Sequence, residues 1–153
     1  MWFTNQILPL IQKKLGNDLP VAVAGTVHPD IRNLLMRKGI DVKGTAREFT
    51  SLYNNARIFI APTRFAAGIP HKIHEAAAHG LPVVTTSLLG SQLGWVNGGD
   101  LMAAEDAESF ADACIRLNHD SDLWNRLRDS ALSKVSSDCS PEIFSRQLRA
   151  ILE

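Results

Sequence analysis

Short apolar runs of four or five residues, each separated from the next by a single amphipathic segment, constrain this chain most strongly. Val21-Ala22-Val23-Ala24 closes at Gly25, Ile58-Phe59-Ile60-Ala61 stops at Pro62, and Pro82-Val83-Val84-Thr85-Thr86 follows Gly80 and Leu81. A uniformly apolar strand is what a strand covered on both faces requires. Asp41-Val42-Lys43-Gly44 and Leu101-Met102 read as two further, briefer strands. Strands joined through one helix pair in parallel by right-handed crossovers. The expected class is therefore α/β, a Rossmann-like parallel sheet sandwiched by helices.

The intervening segments carry helical spacing. Phe3, Ile7, Leu10 and Ile11 stripe a first helix from Trp2 to Leu15. Ile31, Leu34 and Leu35 stripe a second, from Asp30 to Lys38, which Gly39 ends. Phe49, Leu52, Tyr53 and Ala56 mark a third, and Pro70 to His79 a fourth, ended by Gly80. Past Ser87 the four glycines Gly90, Gly94, Gly98 and Gly99 predict a loop-rich stretch. Three helices then close the chain, striped by Phe110, Ala113, Cys114 and Leu117, by Leu123, Leu127 and Ala131, and by Phe144, Leu148, Ile151 and Leu152. Ser140-Pro141-Glu142 opens the last with a cap and a first-turn proline. With no internal repeat, linker or low-complexity tract, residues 1–153 read as one domain.

Composition narrows the partners. Lysine plus arginine equals aspartate plus glutamate at 16 each, a balance that argues against a nucleic-acid binder with its basic footprint. A local basic site for one small anion stays open. No run approaches the roughly 18 apolar residues of a membrane-spanning helix, and the first residues lack a signal peptide's basic start. Cys114 and Cys139 form no metal-ligand spacing, and a buried Cys114 thiol suits a reducing, cytoplasmic setting.

In an open parallel sheet, ligands bind beyond the carboxyl ends of the strands. Three segments leave such ends: Gly25 to His28, Pro62 to Ile69, and Ser87 to Gly90. The middle one is rich in small residues (Ala66, Ala67, Gly68) and enters a helix at Pro70. Small residues permit close backbone approach, and amides at a helix N-terminus bind anions. Lys72 and Glu75 lie three apart, on one face of that helix. A lysine there opposes the helix dipole, so either a bound phosphate or a surface pair with Glu75 has to explain it.

The string from Pro62 to Thr86, with Gly68-Ile69-Pro70-His71-Lys72-Ile73-His74-Glu75-Ala76-Ala77-Ala78-His79-Gly80-Leu81-Pro82-Val83-Val84-Thr85-Thr86 at its centre, resembles the donor-site motif of family 4 glycosyltransferases. Val23-Ala24-Gly25, Val42-Lys43-Gly44, Tyr53-Asn54-Asn55-Ala56 and Asp120-Ser121-Asp122-Leu123-Trp124 extend the likeness over nearly the whole chain. The resemblance implies the C-terminal, donor-binding half of a GT-B fold, in a retaining, metal-independent transferase acting on a nucleotide-diphospho-sugar with no other cofactor. It implies that Glu75 hydrogen-bonds the ribose and that Lys72 reaches the diphosphate. Gly68, Ile69, Pro70 and His71 would line the donor sugar and diphosphate, Gly25 and Thr26 would border the nucleotide, and Lys43-Gly44-Thr45 would pass near the base.

Two departures from the family pattern bear on activity. Ala67 stands where the family's first glutamate usually contacts the donor sugar, and Arg64 is a substitute contact or a solvated loop residue. The family's N-terminal acceptor-binding domain has no counterpart here, nor has the donor domain's first strand, expected before Trp2. The resemblance thus implies part of a longer protein, inactive in transfer alone, with peripheral attachment to the inner membrane face a matter for the longer protein.

The remaining side chains read as structural. His71, His74 and His79 lack the order of a zinc-binding helix. His79 suits a helix C-terminus, and His28 suits a helix cap or a ligand contact. Trp95 reads as a hydrophobic plug, with ligand stacking the alternative. No nucleophile elbow and no dinucleotide glycine fingerprint is present.

Overall fold

The computed structural model describes residues 1–44 and 49–152. The first helix begins as a π-helical turn over Phe3–Ile7 and continues as α1, Leu8–Leu15. Pro9 accounts for the wide turn: a proline ring clashes with the carbonyl four residues back, here that of Asn5, and a wider turn relieves it. Then follow β1 (Val21–Ala24), α2 (Pro29–Arg37), β2 (Ile40–Gly44), α3 (Thr50–Asn55), β3 (Phe59–Ala61), α4 (His71–Ala78) and β4 (Val83–Thr86). The chain finishes with α5 (Ser87–Leu93), β5 (Met102–Ala104), α6 (Ala107–His119), α7 (Ser121–Cys139) and α8 (Pro141–Leu152).

Every strand pairing is parallel, as single-helix connections require. The strands nevertheless form two sheets, β1-β2 and β3-β4-β5. This corrects the expectation for Val21–Ala24. Its four apolar residues suit the middle of a sheet, yet among the described residues β1 pairs with β2 alone, and its residues alternate between half-buried and exposed. β4, flanked on both sides, is buried at all four positions.

Two further expectations fail. Ser87 to Gly90 is the first half of α5, not a loop. Gly90 lies inside that helix with its Cα facing the Ala103 side chain, which a Cβ would meet at 3.4 Å. The left-handed turn at Gly94 (φ 69°) ends α5. The last strand starts one residue late, and Leu101 makes only an isolated bridge with Asn97. Trp95 is a buried plug whose indole donates to Asp138 at 2.9 Å. Burial raises the pKa of Asp100, but bonds from Ser130, the Val96 amide and Lys134 outweigh it and hold that carboxyl below its usual range.

The largest core gathers Ile7 and Ile11, Val84, Met102 and the α6 stripe of Phe110, Ala113, Cys114 and Leu117, with Leu123 and Leu127 from α7. A second lies between α4, β4 and α7, around Ile73, Ala77, Val83, Leu89 and Ala131. A third joins Leu8 and Leu35 to Ile40 and Val42. The α8 stripe is not buried: Phe144, Leu148, Ile151 and Leu152 are exposed. Among the described residues no helix is long and apolar enough to cross a membrane.

Candidate functional site

The loop from Pro62 to Ile69 leaves the carboxyl end of β3 and turns into α4 at Pro70. Gly68, at φ 86°, supplies the left-handed residue that reverses the chain before the helix. Arg64, Phe65, Ala66, Ala67, Gly68 and Ile69 are all exposed, whereas Pro70 is buried and anchors the turn. Three side chains hold this loop. Thr86 at the end of β4 donates to the Thr63 carbonyl at 2.7 Å, Gln92 of α5 donates to the Ala66 carbonyl at 3.1 Å, and Lys72 donates to the Thr63 hydroxyl at 2.8 Å. Neither Thr86 nor Gln92 was signalled as a site support by the sequence, because the contact of each depends on how two strand ends sit side by side.

Lys72 lies in the first turn of α4 and is bent back toward the loop, and partial burial lowers its pKa. No side chain caps α4. A lysine held against a positive helix end, with its ammonium partly desolvated, makes a neighbourhood that favours an anion. The surface pair that spacing also allowed does not form: no ion pair joins Lys72 to Glu75. The Glu75 carboxylate instead stands at Tyr53 of α3. Burial, then the nearby Glu75 charge, pushes the Tyr53 hydroxyl up to about 12. The Tyr53 ring stacks on His79, the residue that ends α4, at 4.7 Å.

The other expected positions fall into a second group. The Gly25 amide donates to the Gly44 carbonyl at 2.7 Å, so these two glycines sit together at the carboxyl ends of β1 and β2. Thr26 beside them is exposed. Lys43 is occupied by an ion pair with Asp41, two residues back on the same strand face. Thr45 lies outside the described residues. No hydrogen bond or ion pair among the described residues joins this group to the α4 group.

The Arg64 guanidinium lies 5.6 Å from the Trp2 indole centroid and 5.8 Å from the ring centroid of Phe65 in the same loop. There it borders a shallow depression that also takes in Gln6, Glu105, Asp106 and Glu108. His71 is exposed, its ring 6.5 Å from that of His74. His74 sits edge-on to Trp95 with Nε2 3.8 Å from Asp138. Desolvation lowers its pKa against the opposing pull of Asp138. His28 caps α2, accepting from the Asp30 amide at 3.4 Å.

The loop after β3, the end of β4 and the lysine-bearing start of α4 thus meet at one place. Residues 1–120 match the family model for glycosyl transferases group 1. The chain belongs to the group 1 glycosyl transferases. Among curated relatives of this glycosyl transferase is the sucrose-phosphate synthase of Spinacia oleracea, 34% identical over 96 residues, which are 61% of this chain and 9% of the plant protein. Among solved structures, a glycosyltransferase of Rickettsia africae superimposes with a TM-score of 0.82 at 19% identity, covering 99% of this chain and 44% of that one. HepE of Anabaena, solved with UDP and glucose, gives a TM-score of 0.78 at 16% identity over 99% of this chain and 45% of its own. These structures share the GT-B fold with this transferase, and the chain spans less than half the length of either.

Proposed function

We propose that this chain binds the nucleotide-diphospho-sugar donor of a retaining, metal-independent glycosyltransferase, within a longer protein whose N-terminal domain binds the acceptor. The observation that carries this reading is Lys72, bent back over the exposed loop at the uncapped start of α4. A diphosphate between the ammonium and the first-turn amides would accept charge-assisted hydrogen bonds from both. As the bond between the anomeric carbon and the diphosphate breaks, the leaving oxygen gains negative charge. Lys72 and the helix dipole stabilise that charge more than they stabilise the bound donor, which is the differential binding that accelerates a reaction. Glu75, exposed on the same helix, offers an acceptor for the ribose hydroxyls. Gly25 and Gly44 border the nucleotide from the other strand pair. The structures of HepE with UDP and of the pneumococcal transferase GtfA with UDP and GlcNAc support a nucleotide as ligand.

Titration calorimetry of the chain with UDP, GDP and ADP tests the reading. One of the three is expected to bind, and Lys72→Ala and Glu75→Ala are each expected to weaken it by about tenfold or more, the worth of a hydrogen bond to a charged group. Binding by none of them, or binding indifferent to both substitutions, overturns it. Ala67 favours a second reading, a domain that holds the donor without transferring the sugar. Turnover of the same nucleotide-sugar by the longer protein would exclude that reading.

A further inference from the structure

Resting on the donor reading, we infer that Thr63 is a further binding residue, whose hydroxyl donates to a phosphate oxygen of the donor and is held in that role by Lys72 and Thr86. A threonine hydroxyl carries one hydrogen to donate and two lone pairs to accept with, whereas an ammonium can only donate. The 2.8 Å bond between the Lys72 ammonium and the Thr63 oxygen therefore has a fixed sense, with Thr63 accepting. The hydroxyl's own hydrogen is left to serve another partner, and among the described residues no acceptor takes it up. Two ammonium hydrogens and one hydroxyl hydrogen remain at this point, a set that suits the several oxygens of a phosphate. The hydrogen stays on Thr63 throughout, as a hydrogen bond and not a transferred proton.

The rest of the residue is pinned. Its amide donates to the Ala61 carbonyl at 2.8 Å, and its carbonyl accepts from the Thr86 hydroxyl at 2.7 Å. Ala61 and Thr86 end the neighbouring strands β3 and β4 and are 1% and 6% exposed, so both anchors belong to the sheet and not to the loop. Thr85 fastens the same Ala61 carbonyl, donating to it at 3.3 Å. Past Thr63 the chain changes character. Arg64 to Ile69 are exposed, and among the described residues no hydrogen bond takes up their amides. Thr63 is thus the last residue tied to the sheet before the loop opens. Its half-buried hydroxyl lies against a cation that no carboxylate among the described residues pairs. A donor fixed in place before the ligand arrives loses little freedom on binding, which favours affinity. Thr63 carries no charge and lies nine residues before Lys72, so only the folded chain brings the two together.

Titration calorimetry with UDP, GDP and ADP, backed by nuclear magnetic resonance shifts where the heats are small, separates this contact from mere support of Lys72. Thr63→Val keeps the shape of the side chain and removes the hydroxyl. It is expected to weaken whichever nucleotide binds by about tenfold or more, the scale of a hydrogen bond to a charged group. Thr63→Ser should recover most of that loss, and Thr63→Ala should reproduce it if the valine variant fails to fold. The deciding comparison is made in a Lys72→Ala background, where Thr63→Val is expected to weaken binding further. No further loss there means that Thr63 acts only through Lys72, and overturns the inference, as does a Thr63→Ser variant that recovers nothing. Binding that Lys72→Ala weakens but neither Thr63→Val nor Thr63→Ala alters also overturns it, and leaves the donor reading standing. Binding by none of the three nucleotides removes both.

Discussion

At the scale of single residues, the site turns on how two charged side chains on one helix part company. Spacing puts Lys72 and Glu75 on one face of α4, yet Lys72 reaches back to Thr63 and Glu75 meets Tyr53. Each side chain finds a partner outside the helix, and both are then placed by elements remote in sequence. Tyr53 is the only tyrosine in the chain, so its ionisation can be followed in isolation by ultraviolet titration. Its phenol is expected to hold its proton through pH 10 and to titrate near pH 12. Glu75→Gln should lower that value by removing the adjacent negative charge. The folded state therefore keeps a proton that the unfolded chain releases near pH 10. This contribution to stability is complete below pH 10 and is lost as pH rises through about 12. A normal titration near pH 10 in the folded protein would contradict the contact.

Elements were legible in the sequence where apolar period and capping chemistry agreed. Asp120 accepts from the Leu123 amide at 2.8 Å and starts α7, whose inner face carries the buried Leu123, Leu127 and Ala131. Asp120→Ala should cost about 1 kcal/mol in urea denaturation, the usual worth of an N-cap side chain. No change in the midpoint would mean that packing alone sets the start of α7. α5 was hidden because Gly90 and Gly94 read as loop residues, and neither has that role. Gly90 lies within the helix with its Cα facing Ala103 of β5, and Gly94 ends it. Tertiary proximity overrode local propensity there. The loop from Pro62 to Ile69 was legible for the opposite reason, since its small residues and its entry into α4 are local properties.

For the whole molecule, the cores take in α1, α2 and α4 to α7 and leave α3 and α8 apart among the described residues. α8 keeps Phe144, Ile151 and Leu152 exposed, and the neighbour it packs against is α7. A chain ending at Ser140 should lose no more than about 1 kcal/mol of stability by urea denaturation, the scale of surface changes rather than of core loss. A loss of several kcal/mol would show that α8 supports the core.

The sequence by itself determined the alternation of strands and helices, their parallel sense, the position of the loop that enters α4, and membership of a family with a donor-site motif. These follow from apolar period, from connection length and from a contiguous motif, all written along the chain. Only the tertiary structure decided that the strands of the described residues split into two sheets, that β1 lies at an edge there, that Lys72 faces the loop, and that the α8 stripe is uncovered. An apolar strand has the same composition whether it is flanked on one edge or two, and a side chain's partner depends on what other segments bring beside it. Such facts belong to pairs of elements, which no single stretch of sequence contains.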